Sequence, residues 1–345
     1  MRSTRTRPDV PEGLRRAWAA PVVSVYLPFD PADGPDGNER RAAAAAEEAA
    51  AAVRARAAGP GCEELVANLA DALGSVDPRH PPAGLAAFAT PDGWEAAALP
   101  EPPAPRVVVD GVPALRALLL ARQRTPDGRA LLISARGARL VDLVGGHAAE
   151  HEGDGFPVRI DPPVEADAPH GDFPLDEHER AEARRFVFRA VDHTLAPLQR
   201  REPLPLVLVG ETRDLAYYDE VTRLGPQVVG RVRGSHEHDP PHAVAPLVLD
   251  ALRRHVEADA TEVARRALEA LPAGAVAGVD AVAEAARAGR GRELVVEEGL
   301  GAAADDGGDL VERIVAEVVA HGGDVVHVPA GVLAGVGGVV LTLRY

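Results

Sequence analysis

Three stretches carry residue types at spacings that suit chemistry. In "HAAEH", His147 to His151, two histidines bracket a glutamate in the order H-x-x-E-H. On a helix, that order sets two imidazoles one turn apart around zinc, with the carboxylate as base. Here it follows Gly145-Gly146 and runs into "EGDG", which does not hold a helix, so a polar strand end and loop is the plainer reading. "GSHEHDPPH" (234–242) offers His236, His238 and His242 beside Glu237 and Asp239. Its two prolines break any helical face, so solvated loop histidines are favoured over a metal site. The case for metal strengthens only if the two stretches meet in space. "GLGAAADDGGDL" (299–310) is a glycine loop before a helix, the geometry of a phosphate cradle, but Asp305, Asp306 and Asp309 repel phosphate. No metal and no cofactor are expected.

A fourth stretch, "ARRFVFR" (183–189), puts Arg184, Arg185 and Arg189 near the start of a helix. The i,i+4 spacing sets Arg185 and Arg189 on one face, with Phe186 and Val187 turned towards a sheet. Guanidinium groups at an exposed helix start suit phosphate binding. The competing reading is a solvated face paired with Glu179 and Glu182.

Composition narrows the chemistry further. The 345 residues are 46% hydrophobic but only 3% aromatic, so cores of Ala, Val and Leu are expected. All 37 basic residues are Arg. Without lysine there is no Schiff base, no Walker lysine and no kinase-type phosphate partner. A net charge of −16 argues against non-specific coating of nucleic acid, which depends on releasing phosphate counterions, and leaves room for a local arginine patch. DNA is not an expected partner. The lone Cys62 has no cationic neighbour to activate it. Neither a signal peptide nor an apolar run of membrane-spanning length is legible, so a cytoplasmic protein with no membrane partner is expected.

These residues must be positioned by elements that the pattern predicts. "PVVSVYLPFDP" (21–31) reads as a strand, 38–59 as an Ala-rich helix capped by Asn38, and "CEELVANLADALGSV" as a second helix. Short strands at "GLAAFAT", "GWEAAAL" and "RVVV" complete a first α/β domain, 1–112. In a middle domain, 113–255, a hairpin turns at Arg136-Gly137 and a long polar loop spans 147–178. A helix from about Leu175, a strand "LPLVLVGE", a helix "RDLAYYDEVTRL" and a strand "PQVVGRVRG" follow. A long helix over 243–271 leads into a last domain, 256–345, with a helix over 276–288, strands "RELVVEE" and "DVVHVP", a helix at "DLVERIVAEVVAHGG" and a final strand "GVVLTLR". That final strand is a continuous apolar run, the mark of a strand inside a sheet rather than a frayed end.

Several of these stretches together resemble one family. Gly337-Gly338 with Leu343-Arg344-Tyr345, "GGDVVHVP", the "AVAGVDAVAEAARAGRGRELVVEE" opening of the last domain, and "ARRFVFR" are similar to the archaeal and eukaryotic class I peptide release factors and Pelota, and to their bacterial homologues. The resemblance covers about 127–345. It implies an α/β chain of three domains: a mixed-sheet middle domain and a last α/β/α domain of the kink-turn-RNA-binding ribosomal protein type. It also implies a cytoplasmic partner, the ribosome, at the rRNA of its A site. The family's Gly-Gly-Gln is absent. Its slot, counted back from "ARRF", holds Glu179, Arg180 and Ala181. By resemblance to Balon-type hibernation factors, the chain is expected to act by occupancy in hibernation, stress or rescue, as a monomer, with a translational GTPase such as EF-Tu as a further partner. It is not expected to be an enzyme. Arg184, Arg185, Arg189 and His170 are the candidate RNA contacts, and no catalytic residue is assigned. A hydrolase acting on peptidyl-tRNA or RNA through loop histidines and glutamates, and a stress protein away from the ribosome, are the competing readings.

Overall fold

The computed structural model describes residues 12–15, 21–56, 61–160, 177–304 and 308–344. Its three sheets and covering helices are of the α/β class the sequence predicts. The first segment runs β1 (Val22–Pro28), α1 (Gly34–Arg56), α2 (Cys62–Gly74), β2 (Gly84–Thr90), β3 (Gly93–Leu99), β4 (Arg106–Asp110) and α3 (Arg116–Arg124). Its antiparallel sheet has the order β3-β2-β1-β4. Residues 22–27 are all buried, because α1 and α2 cover one face and α3 lies against the other. Asn38 does not cap α1. It lies inside the helix, buried, and its Oδ1 accepts from the Asp30 amide at 3.2 Å.

The middle segment contains β5 (Gly128–Ser134), β6 (Gly137–Val144), β7 (His147–Glu150), β8 (Val158–Arg159), α4 (Glu177–Arg201), β9 (Leu206–Gly210), α5 (Thr212–Val221) and β10 (Val228–Arg233). Sheet order is β10-β9-β5-β6-β7, with β8 also on β6. Strands β5, β9 and β10 are parallel; β6 and β7 run antiparallel. Helices α4 and α5 pack on one face, and the first half of α6 (Pro241–Glu269) packs on the other through Val244, Val248 and Leu252. The expected long loop is corrected in its first part. Residues 147–150 pair with β6, and 158–159 pair with its opening, because "HAAE" alternates exposed and half-buried residues as an edge strand does.

The last segment runs β11 (Ala275–Ala277), α7 (Val279–Arg287), β12 (Gly291–Glu297), α8 (Leu310–Ala320), β13 (Asp324–Val328) and β14 (Val339–Leu343). The helix expected over 276–288 is likewise corrected. Its first residues form β11, and Gly278 at φ +83° breaks the chain before α7 starts. Sheet order β11-β14-β12-β13 puts the apolar β14 between two partners. Gly337 and Gly338, both left-handed at φ +85° and +76°, make the turn that delivers it. Helices α7 and α8 cover one face and the second half of α6 the other, giving three layers.

The chain divides into two compact units, one formed by 125–256 and one by the first and last segments together. In the second unit Tyr26, Phe88 and Leu118 share a single core with Val282, Ile314, Val315 and Leu341. Polar links ring that core. Arg106 and the Arg116 amide meet Glu312 at 2.9 and 3.1 Å, and Arg313 meets Asp110 at 2.7 Å. The Gln123 side chain exchanges two hydrogen bonds, 2.7 and 2.9 Å, with the backbone of His327.

Candidate functional site

Helix α4 forms where acidic residues occupy the positive end of the macrodipole and Ala181, Val187, Phe188, Val191, Leu195 and Leu198 recur on one face. Its buried aromatic is Phe188. Phe186, expected to face the sheet, is 45% exposed, one step round the helix from Val187. Glu179, Arg180 and Ala181, at the slot that the resemblance makes a loop, lie in the first turns of the helix, and Ala181 is buried. The run "EHERAEA" is built of good helix formers, so the helix reaches back over that slot.

The arginines of this helix have different surroundings. The Arg184 Nε sits 2.6 Å from a carboxylate oxygen of Asp214, a buried residue of α5. The approach is that of an ion pair, off the line of a hydrogen bond. Burial raises the Asp214 carboxyl above the usual carboxylate range, and Arg184 opposes that rise. Arg185 donates to Glu182 and Glu220, both at 2.8 Å, and stacks 5.0 Å over Tyr217. Arg189 is exposed and makes no ion pair among the described residues. Two of the three candidate arginines therefore dock α5 onto α4 through carboxylates. His170 lies outside the described residues.

The two histidine stretches do approach each other, through an arginine. Arg139 on β6 holds the Glu150 carboxylate with two bonds, 2.9 and 2.7 Å, and donates to the carbonyls of Glu237 and Asp239 at 2.6 and 3.0 Å. A guanidinium occupies the space that a cation-binding pair of loops would use. The histidines point elsewhere: His151 to Asp142 at 2.6 Å and Asp154 at 3.3 Å, His236 to Asp239 at 2.8 Å, while His147 is exposed. Among the described residues no group of three or more His, Cys, Asp or Glu is placed to hold a metal ion. In the third stretch Asp309 caps α8, accepting from the Val311 and Glu312 amides at 2.9 and 3.4 Å. Its own carboxylate thus fills the anion position.

Sequence reasoning missed Arg129. It is 1% exposed and donates to Asp142 (2.8 Å), Gln199 (2.8 Å) and both the carbonyl and carboxylate of Glu202 (2.7 and 2.9 Å). Asp142 in turn holds His151, and Asp154 binds Arg201 at 3.0 Å. A relay of charges thus fixes the 151–156 turn to the far end of α4. The opening of "RALLIS" gave no signal of this, because its partners come from β6, the end of α4 and the turn after it. Missed too was a cavity at the tip of the β5–β6 hairpin, bordered by Arg136, Arg159 and His238.

Residues 129–290 match the family model "Bacterial archaeo-eukaryotic release factor family 3". No curated protein matches the chain. Among solved structures, an archaeal translation termination factor is 17% identical, covers 97% of this chain and 96% of its own, and has a TM-score of 0.26. Archaeoglobus fulgidus Pelota is 18% identical, covers 76% and 79%, and has a TM-score of 0.37. A ribosome-bound archaeal Pelota is 18% identical, covers 73% and 72%, and has a TM-score of 0.43.

Proposed function

We propose, for a chain whose residues 129–290 match the model of the bacterial archaeo-eukaryotic release factors, a ribosome-associated translation factor that acts by occupancy and not by releasing peptide. The observation that carries this reading is the fate of glutamine. Release chemistry in the family rests on Gly-Gly-Gln, and this sequence has none; its three glutamines are Gln123, Gln199 and Gln227. Gln123 is tied to the His327 backbone. Gln199 accepts from Arg129, donates to the Leu204 carbonyl at 2.9 Å and donates to Gln227 at 3.0 Å. All three are used within the fold. The slot that the resemblance aligns with Gly-Gly-Gln holds Glu179, Arg180 and Ala181, within helix α4.

In this reading the body docks at the A site of ribosomes in hibernation, stress or rescue, with delivery by a translational GTPase. Of the three candidate arginines, Arg189 is the one left for an rRNA phosphate, since Arg184 and Arg185 are held by carboxylates. Sedimentation through sucrose at low salt tests the proposal. The protein is expected in the ribosomal fraction of starved cells, and purified ribosomes carrying peptidyl-tRNA are expected to keep their peptide when it is added. A protein that stays at the top of the gradient in growing and starved cells alike removes the reading.

A further inference from the structure

Helices α7 and α8 of the last segment each carry the chain back between parallel strands, so they run side by side in the same direction. Their contributions to the space between them are unequal. α8 brings the branched side chains of Leu310 and Ile314, while α7 brings Ala283, a single methyl group. A cleft of about 270 Å³ stays open there, lined also by Val112, which follows β4. All of these residues belong to the compact unit formed by the first and last segments. The volume falls just below the ~300–1,000 Å³ of sites for drug-sized ligands, so the occupant that fits is smaller.

Charges of both signs border this apolar floor. Arg287 follows Ala283 by one helical turn and Glu317 follows Ile314 by three residues, so both stand towards the same end of the cleft. Arg287 is exposed and makes no hydrogen bond or ion pair among the described residues. The Glu317 carboxylate meets the His321 ring at 3.7 Å and no guanidinium among the described residues. The third charged lining residue, Arg313, is held by Asp110 at 2.7 Å. A cation and an anion that border one cleft without pairing with each other are both open to a ligand. Together with the floor, they complement a small molecule that carries a carboxylate, an ammonium and a short apolar chain.

We propose that this cleft binds a free aliphatic α-amino acid of the size of leucine. The Arg287 guanidinium donates to the α-carboxylate, the Glu317 carboxylate accepts from the α-ammonium, and Val112, Leu310 and Ile314 cover the side chain. The inference goes beyond ribosome association and does not rest on it.

Calorimetric titration of the full chain with leucine, glycine, leucinamide and N-acetylleucine tests it. Leucine is expected to bind with a Kd of about 1 mM or below. Glycine lacks the apolar chain, leucinamide the carboxylate and N-acetylleucine the ammonium, so each is expected to bind about tenfold more weakly or less. Arg287→Ala and Glu317→Gln, at surface-accessible positions, are each expected to weaken leucine by about tenfold. Each is also expected to abolish one discrimination: Arg287→Ala no longer separates leucine from leucinamide, and Glu317→Gln no longer separates leucine from N-acetylleucine. Those paired losses cannot come from a general loosening of the fold. Arg254→Ala, on the exposed Asp250 pair of α6, is expected to leave binding unchanged. No binding at about 10 mM leucine overturns the proposal. So does glycine, leucinamide or N-acetylleucine bound as well as leucine, or leucine binding that survives both substitutions. A protein that fails to sediment with ribosomes can still pass these titrations, so the two proposals fail separately.

Discussion

At the residue scale, burial decides what a titratable side chain can do. His327 on β13 is 2% exposed, and neither ring nitrogen has a hydrogen-bond partner among the described residues. Burial, reinforced by Arg116 and Arg124, pushes its pKa down to about 3. The folded state therefore holds it neutral, while the unfolded chain takes up a proton below its ordinary value of 6.5. Between those two values the unfolded state binds more protons, so stability falls with falling pH. Lowering the pH from 7 to 5 is expected to remove roughly 2 kcal/mol through this one group. Urea unfolding at both pH values measures it, and His327→Leu is expected to lose less on acidification by that amount. Equal losses in the two proteins would assign the pH dependence to other groups. Arg129 shows the complementary case: a buried charge persists because Asp142, Gln199 and Glu202 satisfy its guanidinium.

At the element scale, a strand two residues long governs one wall of the cavity. β8 holds to β6 only at Gly137–Arg159 and Ala138–Val158. Gly137→Ala forces a shift of backbone rather than of a flexible side chain. A cost of about 1–3 kcal/mol is expected. Amide exchange at Ile160, whose N–H donates to Arg136, is expected to speed up while exchange in β9 stays slow. Unchanged protection at Ile160 would mean that β8 is held by something other than this close approach. The same element decides the histidines: β7 and the 151–156 turn point His147 outward and His151 into an aspartate pair.

At the scale of the whole molecule, the first and last segments share one core although more than 150 residues separate them in sequence. Phe88 is fully buried in it and makes an edge-on contact with Tyr26, ring centroids 6.1 Å apart. Phe88→Ala is expected to cost about 3–5 kcal/mol. Because the core is common, the loss is expected to move the unfolding midpoint read from the last segment by exchange at Leu341 as far as the midpoint read from β1. A shift confined to the first segment would show that the two unfold independently.

Much was legible in the sequence alone. Apolar runs marked β1, β5, β9 and β14 as strands, with β14 inside a sheet, and α2, α4, α6 and α8 read as helices, since these signals come from near neighbours in the chain. The missing Gly-Gly-Gln and the absence of lysine were equally plain. The tertiary structure decided which charges are spent: Arg184 and Arg185 read as an RNA patch until Asp214, Glu182 and Glu220 were seen to hold two of its three guanidiniums. It also decided that "HAAEH" and "GSHEHDPPH" meet through Arg139, and that Arg136 and Arg159 share a cavity. Local patterns fix the elements, but the partner of a long, flexible, charged side chain depends on strand register and helix packing between residues far apart in the chain.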